Sequence, residues 1–585
     1  MRAALRTALL LALAAAGPRA AGAQPAVPAN PSHAVPLWGV YHGNSYAQAS
    51  TAARGPEAAD ALGTAYVPAG NAEGPSPWTL LGVPYPDGSQ PIWGATLNFV
   101  TKAVRRPDGA VEHVDNERID FNPLSINYNA LALADGSLVT IDQAAGRLLR
   151  YGDAAPGGPD APIALLDAFP YPDGIETRGN LNVTYDGWIV IPAEDGRLLA
   201  VRQDFGDHRV SDFQIGGGDV FYHNAFSVDE DGGIYLLTDP GMVKVRWTGD
   251  GFEEEWEVPY RFRNPGCPEP RSDAQELQWT LDGDPCSGSG TTPTLVGVDG
   301  GDELVVVVDG HQPSNRLVAF WRDGVPDDWD GLPGQDRRVA AIVAAPYATA
   351  EGRGFNTECS PTAWGYDIAF AQWGGIFPEE DPLPGVQKFR WDPGTRTLGL
   401  VWATDRATMN NVLTYSDGSG LVYGTGRAAG VYTLYALDWQ TGAVVIEEPL
   451  GTDRAFLDGG NQVVVLPDRS LIYGSGENGL AHIRPAGAVA GEPGPPAPPD
   501  ALALEAAPNP VSGRLRVRYA LGSAARVRLT LRTLLGREVA VLDEGPRAAG
   551  AHRVEASTSA LAAGVYVLHL AAGERAAARR VTALR

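Results

Sequence analysis

A chain of 585 residues carrying a formal charge of −25 has room for more than one domain, and its acidity excludes nucleic acid as a partner because the phosphates would be repelled. Lysine occurs only at 102, 244 and 388, so nearly every basic residue is arginine. The three cysteines and nine histidines show no spacing suited to a tetrahedral zinc site.

Residues 1–23 read as a secretory signal: Arg2 and Arg6, an apolar core ALLLALAAAG, then Ala21-Gly22-Ala23 before Gln24. That core is too short to span a bilayer, and no later run approaches the roughly 20 residues a membrane helix requires. The expected mature protein is therefore exported, without a transmembrane helix, and monomeric.

Residues 36–120 have strand character broken by Gly/Pro-rich connections, as in PLWGVY, WTLLGVPY and WGATLNFV. Beyond them one unit is complete. In residues 222–260 four runs alternate apolar and polar positions, and Asp231-Gly232-Gly233, Asp239-Pro240-Gly241 and Gly249-Asp250-Gly251 supply the turns. This predicts a four-stranded antiparallel meander, which cannot bury both faces alone. Related units open at Asn129, Asn182, Thr292, Ser360, Asn410-Asn411 and Asn461. Their spacing of about 40 to 70 residues is that of propeller blades.

The fold expected for residues 24–485 is thus an all-β propeller with seven regular four-stranded blades and an irregular N-terminal eighth from residue 44 to about 117; a seven-bladed ring is the alternative. The last unit, 461–485, has three runs and lacks a fourth. A strand at Leu37–Tyr41 is expected to complete it and close the ring. Between two blades, Cys267 and Cys286 share a Gly/Pro/Asp-rich insertion, and export favours a disulfide between them, closing about 20 residues and worth on the order of 3 kcal/mol.

Residues 486–500, a Pro/Gly/Ala spacer, lead into 501–585, whose short alternating strands predict a small sandwich of immunoglobulin type. From Pro508 to Arg585 there are thirteen arginines against five acidic residues, a net +8 that leaves −33 for the rest. Pro508-Asn509-Pro510, Leu534-Leu535-Gly536-Arg537-Glu538, Gly564-Val565-Tyr566-Val567 and the basic last strand resemble the type A C-terminal sorting domain of the type IX secretion system. The resemblance covers this domain alone. It implies the type IX machinery as partner and delivery to the outer-membrane surface or the medium.

Candidate chemistry lies in the propeller, where the residues opening each first strand converge on the axis. These are Asn129, Asn182, His223, Asn224, Thr292, Ser360, Asn410, Asn411 and Asn461, with His42 and Asn44 from YHGNSYAQAS. Such a ring offers amide and hydroxyl groups to a polar ligand, or oxygens to a cation such as calcium; Asn also satisfies tight loops by bonding nearby backbone. His223 is the candidate for proton transfer or nucleophilic chemistry. The stretch HNAFSVDEDGGIYLLTD faintly resembles the histidine-bearing blade of bacterial arylsulfotransferases, and LYALDWQTGAVVIEE looks like the repeat of quinoprotein propellers. Adjacent cysteines are absent, which argues against pyrroloquinoline quinone. The acidic runs 299–303 and 327–336 match no EF-hand spacing and read as solvated turns.

Two classes of function follow. The first is an exported propeller that binds a ligand or partner at its axial face. The alternative is an enzyme on the same face: a calcium-dependent hydrolase or lactonase, a quinoprotein-like dehydrogenase or an arylsulfotransferase.

Overall fold

A computed structural model describes residues 27–486 except 71–78, 96–98, 120–129, 178–179, 218–223, 269–285, 287, 298–300, 348–358, 373–383, 409–411, 459–461 and 478. In the C-terminal part it describes 503–507, 511, 513–521, 525–533, 537–547, 550–558, 561, 564–573 and 575–583. Turn residues dictate a series of antiparallel meanders. In the fourth of them the strands are Ser227–Val228, Gly233–Leu237, Gly241–Trp247 and Phe252–Pro259, close to the runs read from sequence. Gly232 has φ +85°, and a Cβ there would lie 2.3 Å from the Trp247 carbonyl oxygen, so only glycine turns this corner.

Eight sheets form eight blades, seven of them four-stranded and one, blade 7, five-stranded because Ser50–Thr51 pairs parallel with its first strand. Blade 1 runs from Leu80–Leu81 to Val111–Arg118, blade 2 from Ala130–Ala132 to Ile163–Pro170, and blade 3 from Asn182–Val183 to His208–Val210. Blade 4 is the unit above. Blades 5, 6 and 7 begin at Thr294–Gly297, Thr362–Trp364 and Thr414–Ser416. Blade 8 contains Val464–Val465, Leu471–Gly474 and Gly479–Pro485. The N-terminal blade is a regular four-stranded sheet, not an irregular one.

Both faces of each sheet are buried. In blade 4, Ile234, Leu236, Val243 and Val245 pack toward blade 3, while Tyr235, Leu237, Met242 and Val258 pack toward blade 5. An apolar cluster fills every seam, including that between blades 8 and 1, where Leu466, Ile472 and Leu480 meet Leu81, Ile92 and Ala103. Eight filled seams for eight blades close the ring.

The closing strand differs from the expected one. Leu62–Pro68 pairs antiparallel with Gly479–Pro485 as the outermost strand of blade 8, in register from Leu62 opposite Pro485 to Pro68 opposite Gly479. Leu37–Tyr41 lies instead on the axis. The physical reason is burial: Leu62–Pro68 is half exposed along its length and carries a weak apolar pattern, whereas Trp38 and Val40 are apolar because the channel encloses them.

The three lysines, rare in the composition, share one role. Lys102 and Lys388 are fully buried and Lys244 nearly so, each on the third strand of its blade. Lys102 Nζ lies 2.6 Å from Asp153 of blade 2, and Lys244 Nζ lies 2.7 Å from Asp323 of blade 5. Lys388 Nζ lies 2.9 Å from Asp367 and donates to the Trp439 carbonyl of blade 7 at 2.7 Å. Each also sits over an aromatic ring: Trp93 for Lys102, Tyr235 for Lys244 and Trp439 for Lys388.

The C-terminal residues form two antiparallel sheets, one of Ala503–Ala507, Arg514–Leu521 and Gly550–Ser557, the other of Glu538–Arg547, Ala525–Thr533, Gly564–Ala572 and Arg575–Ala583. Leu515, Val517, Tyr519, Leu529, Leu568 and Leu570 form the core between them. No helix of the described residues is long and apolar enough to cross a membrane.

Candidate functional site

Each first strand runs away from the face where it begins, so the first-strand openings, the second-to-third-strand hairpins and the links between blades all gather on that one face, the axial face. Residues 30–51 enter the channel from the opposite side. Asn30 Nδ2 donates to the Val183 carbonyl at 2.8 Å and Ser32 Oγ to that of Thr184, both near the far end of the first strand of blade 3. The chain rises past blade 2, where Ala34 N donates to Ala132 O and Val40 bridges to Leu131. It turns at Val40–Ala47 and descends again. On the way down it accepts from Val228 N at Ser45 O, from Leu295 N at Tyr46 O, from Ala363 N at Gln48 O, from Tyr415 N at Ala49 O and from Asp417 N at Thr51 O. With Trp38 O accepting from Leu81 N, the loop touches the inner strands of blades 1 through 7. It forms a built-in axle.

The turn is tight. Trp38, His42, Ala47 and Ala49 all have positive φ, four of the eight non-glycine residues in that state among the described ones. Each such residue costs about 1–2 kcal/mol. Only the surrounding blades can impose that conformation.

The loop brings His42 and Asn44 to the first-strand openings. Together with Asn182, Ala225, Phe226 and Thr292 they enclose a residual cavity of about 10 Å³, room for one water at most. His42 Nε2 lies 2.9 Å from Thr292 Oγ1, and its Nδ1 has no partner among the described residues. Burial lowers the His42 pKa to about 3, so its ring is neutral near pH 7. His33, lower in the channel, is held to about 4 by the same cause.

The described members of the predicted ring are engaged with neighbouring main chain. Asn182 Nδ2 donates to the Phe226 carbonyl at 2.8 Å, tying blade 3 to blade 4, and Asn224 Nδ2 donates to the Gly290 carbonyl ahead of blade 5. Ser360 Oγ accepts from Thr292 N at 2.8 Å, and Thr414 Oγ1 donates to the Val463 carbonyl at 2.5 Å, carrying the girdle from blade 5 to blade 6 and from blade 7 to blade 8. Asn44 Oδ1 accepts from Tyr46 N and Gln48 N within its own loop. Asn129, His223, Asn410, Asn411 and Asn461 lie outside the described residues, as do Asp299 and Gly300 of the acidic run at 299–303; in the rest of that run Asp302 accepts from Trp391 Nε1 at 2.9 Å and Glu303 pairs with Arg322 at 2.8 Å. The second acidic run, 327–336, forms exposed turns braced by Arg337 and Arg338.

The sequence reading passed over a second cluster on the same face, between blades 4 and 5. Asp309, fully buried, accepts from Tyr260 Oη at 2.8 Å and Arg316 Nε at 2.7 Å, and its Oδ2 lies 3.0 Å from His311 Nδ1. Burial and the Asp309 charge push the Tyr260 phenol far above its ordinary value. Beside it the predicted disulfide joins Cys267 to Cys286, with Cα atoms 5.4 Å apart. Cys359 is buried and outside the bridge. A usable signal existed in the string Asp-Gly-His-Gln-Pro-Ser-Asn-Arg at 309–316, which places Asp, His and Arg in one hairpin between two clear strands.

The fold defines the class of protein: an eight-bladed β-propeller with its own N-terminal loop as axle, accompanied by a seven-stranded sandwich. No family model matches the chain. It is 28% identical over 439 residues to an uncharacterized protein of Archaeoglobus fulgidus, spanning 70% of this chain and 80% of that one. Among solved structures it is similar in fold to Saccharomyces cerevisiae Sqt1 (10% identity, TM-score 0.41, 71% of this chain and 96% of that one). Another is the Pseudomonas aeruginosa periplasmic gluconolactonase PpgL (14% identity, TM-score 0.35, 64% and 97%).

Proposed function

We propose that the protein is an exported propeller that binds a ligand or partner on its axial face without turning it over. Residues 1–23 direct it through the inner membrane, and the C-terminal sandwich serves as a type IX sorting domain that carries it to the cell surface or the medium. The observation that carries the binding reading is the axle: residues 30–51 bond the inner strands of blades 1 through 7, and the cavity left beside His42 and Asn44 measures about 10 Å³. The hydrolase, dehydrogenase and sulfotransferase readings call for a substrate-sized chamber on the axis, and the cavity that the described residues form beside His42 has room for a single water at most. A ligand is met on the face and rim instead. The Cys267–Cys286 bridge supports the export part, since disulfides persist in oxidising compartments.

The test is paired. Purified mature protein (residues 24–585) is passed over immobilised glycans and cell-envelope fragments, and is assayed with lactone, aryl sulfate and alcohol substrates with calcium present. Retention without turnover is the expected result; turnover that disappears in His42→Ala contradicts the reading. For the export route, deletion of residues 508–585 is expected to leave the propeller in the periplasm. Unchanged delivery to the surface contradicts the sorting assignment.

A further inference from the structure

The hairpins joining first to second strands lie on the face opposite the axial one, and there the seam of blades 4 and 5 grips the axle by charge. Tyr46 of the axle accepts at its carbonyl from Leu295 N of blade 5 at 3.0 Å, and its phenol donates to Glu230 of blade 4 at 2.5 Å. Arg322, just past the third strand of blade 5 and 7% exposed, places its guanidinium 5.5 Å from the centre of the Tyr46 ring. Two carboxyl groups share that guanidinium: Glu303 Oε1 lies 2.8 Å from Nη2, and Asp323 Oδ2 lies 3.2 Å from Nε. Nε and Nη2 point out along one edge of the fork, so the two carboxyl groups stand side by side. Like charges this close do not both stay ionised. Asp323 also holds Lys244 Nζ at 2.7 Å, so the proton of the pair sits on Glu303.

We infer that Glu303 and Asp323 form a proton-operated latch on the axle, tight while one proton lies between them and slack once it leaves, a device independent of what the axial face binds. With the proton in place the Glu303 O–H donates to Asp323, and Arg322 stays seated between the pair and the Tyr46 ring. Loss of the proton to solvent leaves two carboxylates on one guanidinium, and their repulsion draws Arg322 off the ring. Around the pair, Asp229, Glu230 and Glu255 of blade 4 and Asp302 of blade 5 add negative charge, while Lys244, Arg246 and Arg338 add positive. Tyr46, Tyr185 and Tyr235 complete the surroundings, and desolvation holds all three phenols far above their usual range, so they are neutral near pH 7. Glu303 differs: desolvation raises it, Arg322 lowers it and Asp323 raises it again, to about 7. That value lies above the 4.5 of an exposed glutamate, so the stability the latch confers is full below pH 4.5 and is lost as pH rises through 7. His33 and His42 respond in the opposite sense.

The test compares the mature full chain with Glu303→Gln, whose amide keeps a donor toward Asp323 but cannot lose it, by urea unfolding from pH 5.5 to 8.5. The histidines contribute equally to both chains, so the ratio of the two unfolding constants isolates the pair. The latch predicts that the wild type loses about fivefold or more in stability relative to Glu303→Gln across that range. Selective 13C-tyrosine labelling, with Tyr46→Phe to assign the signal, reads the axle itself: the Tyr46 ring resonance is expected to move with a midpoint near pH 7 in the wild type and to stay still in Glu303→Gln. A constant stability ratio, a Tyr46 resonance that does not move in the wild type, or one that moves equally in Glu303→Gln each overturns the latch. Should Glu303→Gln fail to fold, the wild-type Tyr46 titration decides alone, movement near pH 7 supporting the latch and a flat profile defeating it.

Discussion

The axis of this propeller and the rim at the seam of blades 4 and 5 stand a short way apart on one face, and they treat polar groups in opposite ways. On the axis the side-chain amides of Asn182 and Asn224 and the hydroxyls of Ser360 and Thr414 are turned onto neighbouring main chain, Thr292 Oγ1 is turned onto the His42 ring, and His33 and His42 are desolvated and neutral. At the rim the charges are kept: Asp239 pairs with Arg263 and Asp309 with Arg316. The difference teaches that polarity at the centre of a ring can be cohesive, while ionic charge is kept where a hairpin and a disulfide-braced link reach outward.

The largest expected effect breaks the axis. Trp38 is 2% exposed against the seam of blades 8 and 1, so Trp38→Ala is expected to cost about 3–5 kcal/mol in denaturant unfolding. A cost under 1 kcal/mol would mean that the loop is not part of the core. Breaking a seam rather than the axle comes next. Lys388→Met removes one of the two cations on buried Asp367, which keeps its bonds from Arg390 Nε and Nη2, so the expected cost is about 1–3 kcal/mol.

Acid sharpens the contrast further. The folded pKa values of His33 and His42, about 4 and 3, lie below the 6.5 of an exposed histidine. Between those values the unfolded chain binds protons that the folded chain refuses, so the stability these rings confer is complete above pH 6.5 and is lost as pH falls toward 4. For His33 alone the loss by pH 4 is on the order of 3 kcal/mol. His33→Gln is expected to flatten the fall in melting temperature over that window. The smallest effect is Tyr260→Phe, which removes a hydroxyl shared by Asp309 and Arg316 and is expected to cost about 1–2 kcal/mol.

Much of the ring was legible in the sequence because a blade advertises itself twice, by alternation within strands and by turn glycines between them. The strands of blade 4 and the need for an N-terminal closing strand were both readable there. What misled was apolar strength: Leu-Trp-Gly-Val-Tyr at 37–41 carries a stronger apolar signal than Leu62–Pro68, yet it is apolar because seven blades surround it, and no local pattern separates an inner loop from an inner strand. The polar openings were readable as a converging set, but their partners are backbone carbonyls of the next blade, which a side-chain string does not display. The rim cluster went unread for a related reason: Tyr260 and Asp309 are 49 residues apart and meet only through packing of adjacent blades.

The most direct test of the central claim, that residues 30–51 are an integral axle, is native-state hydrogen exchange at the amides of Trp38, Ala47 and Ala49, each bonded within the loop. The axle predicts exchange only through global unfolding, at rates matching the buried strands of blade 4. Exchange as fast as that of the exposed turns at 327–336 would show that the segment leaves the channel freely and would contradict it.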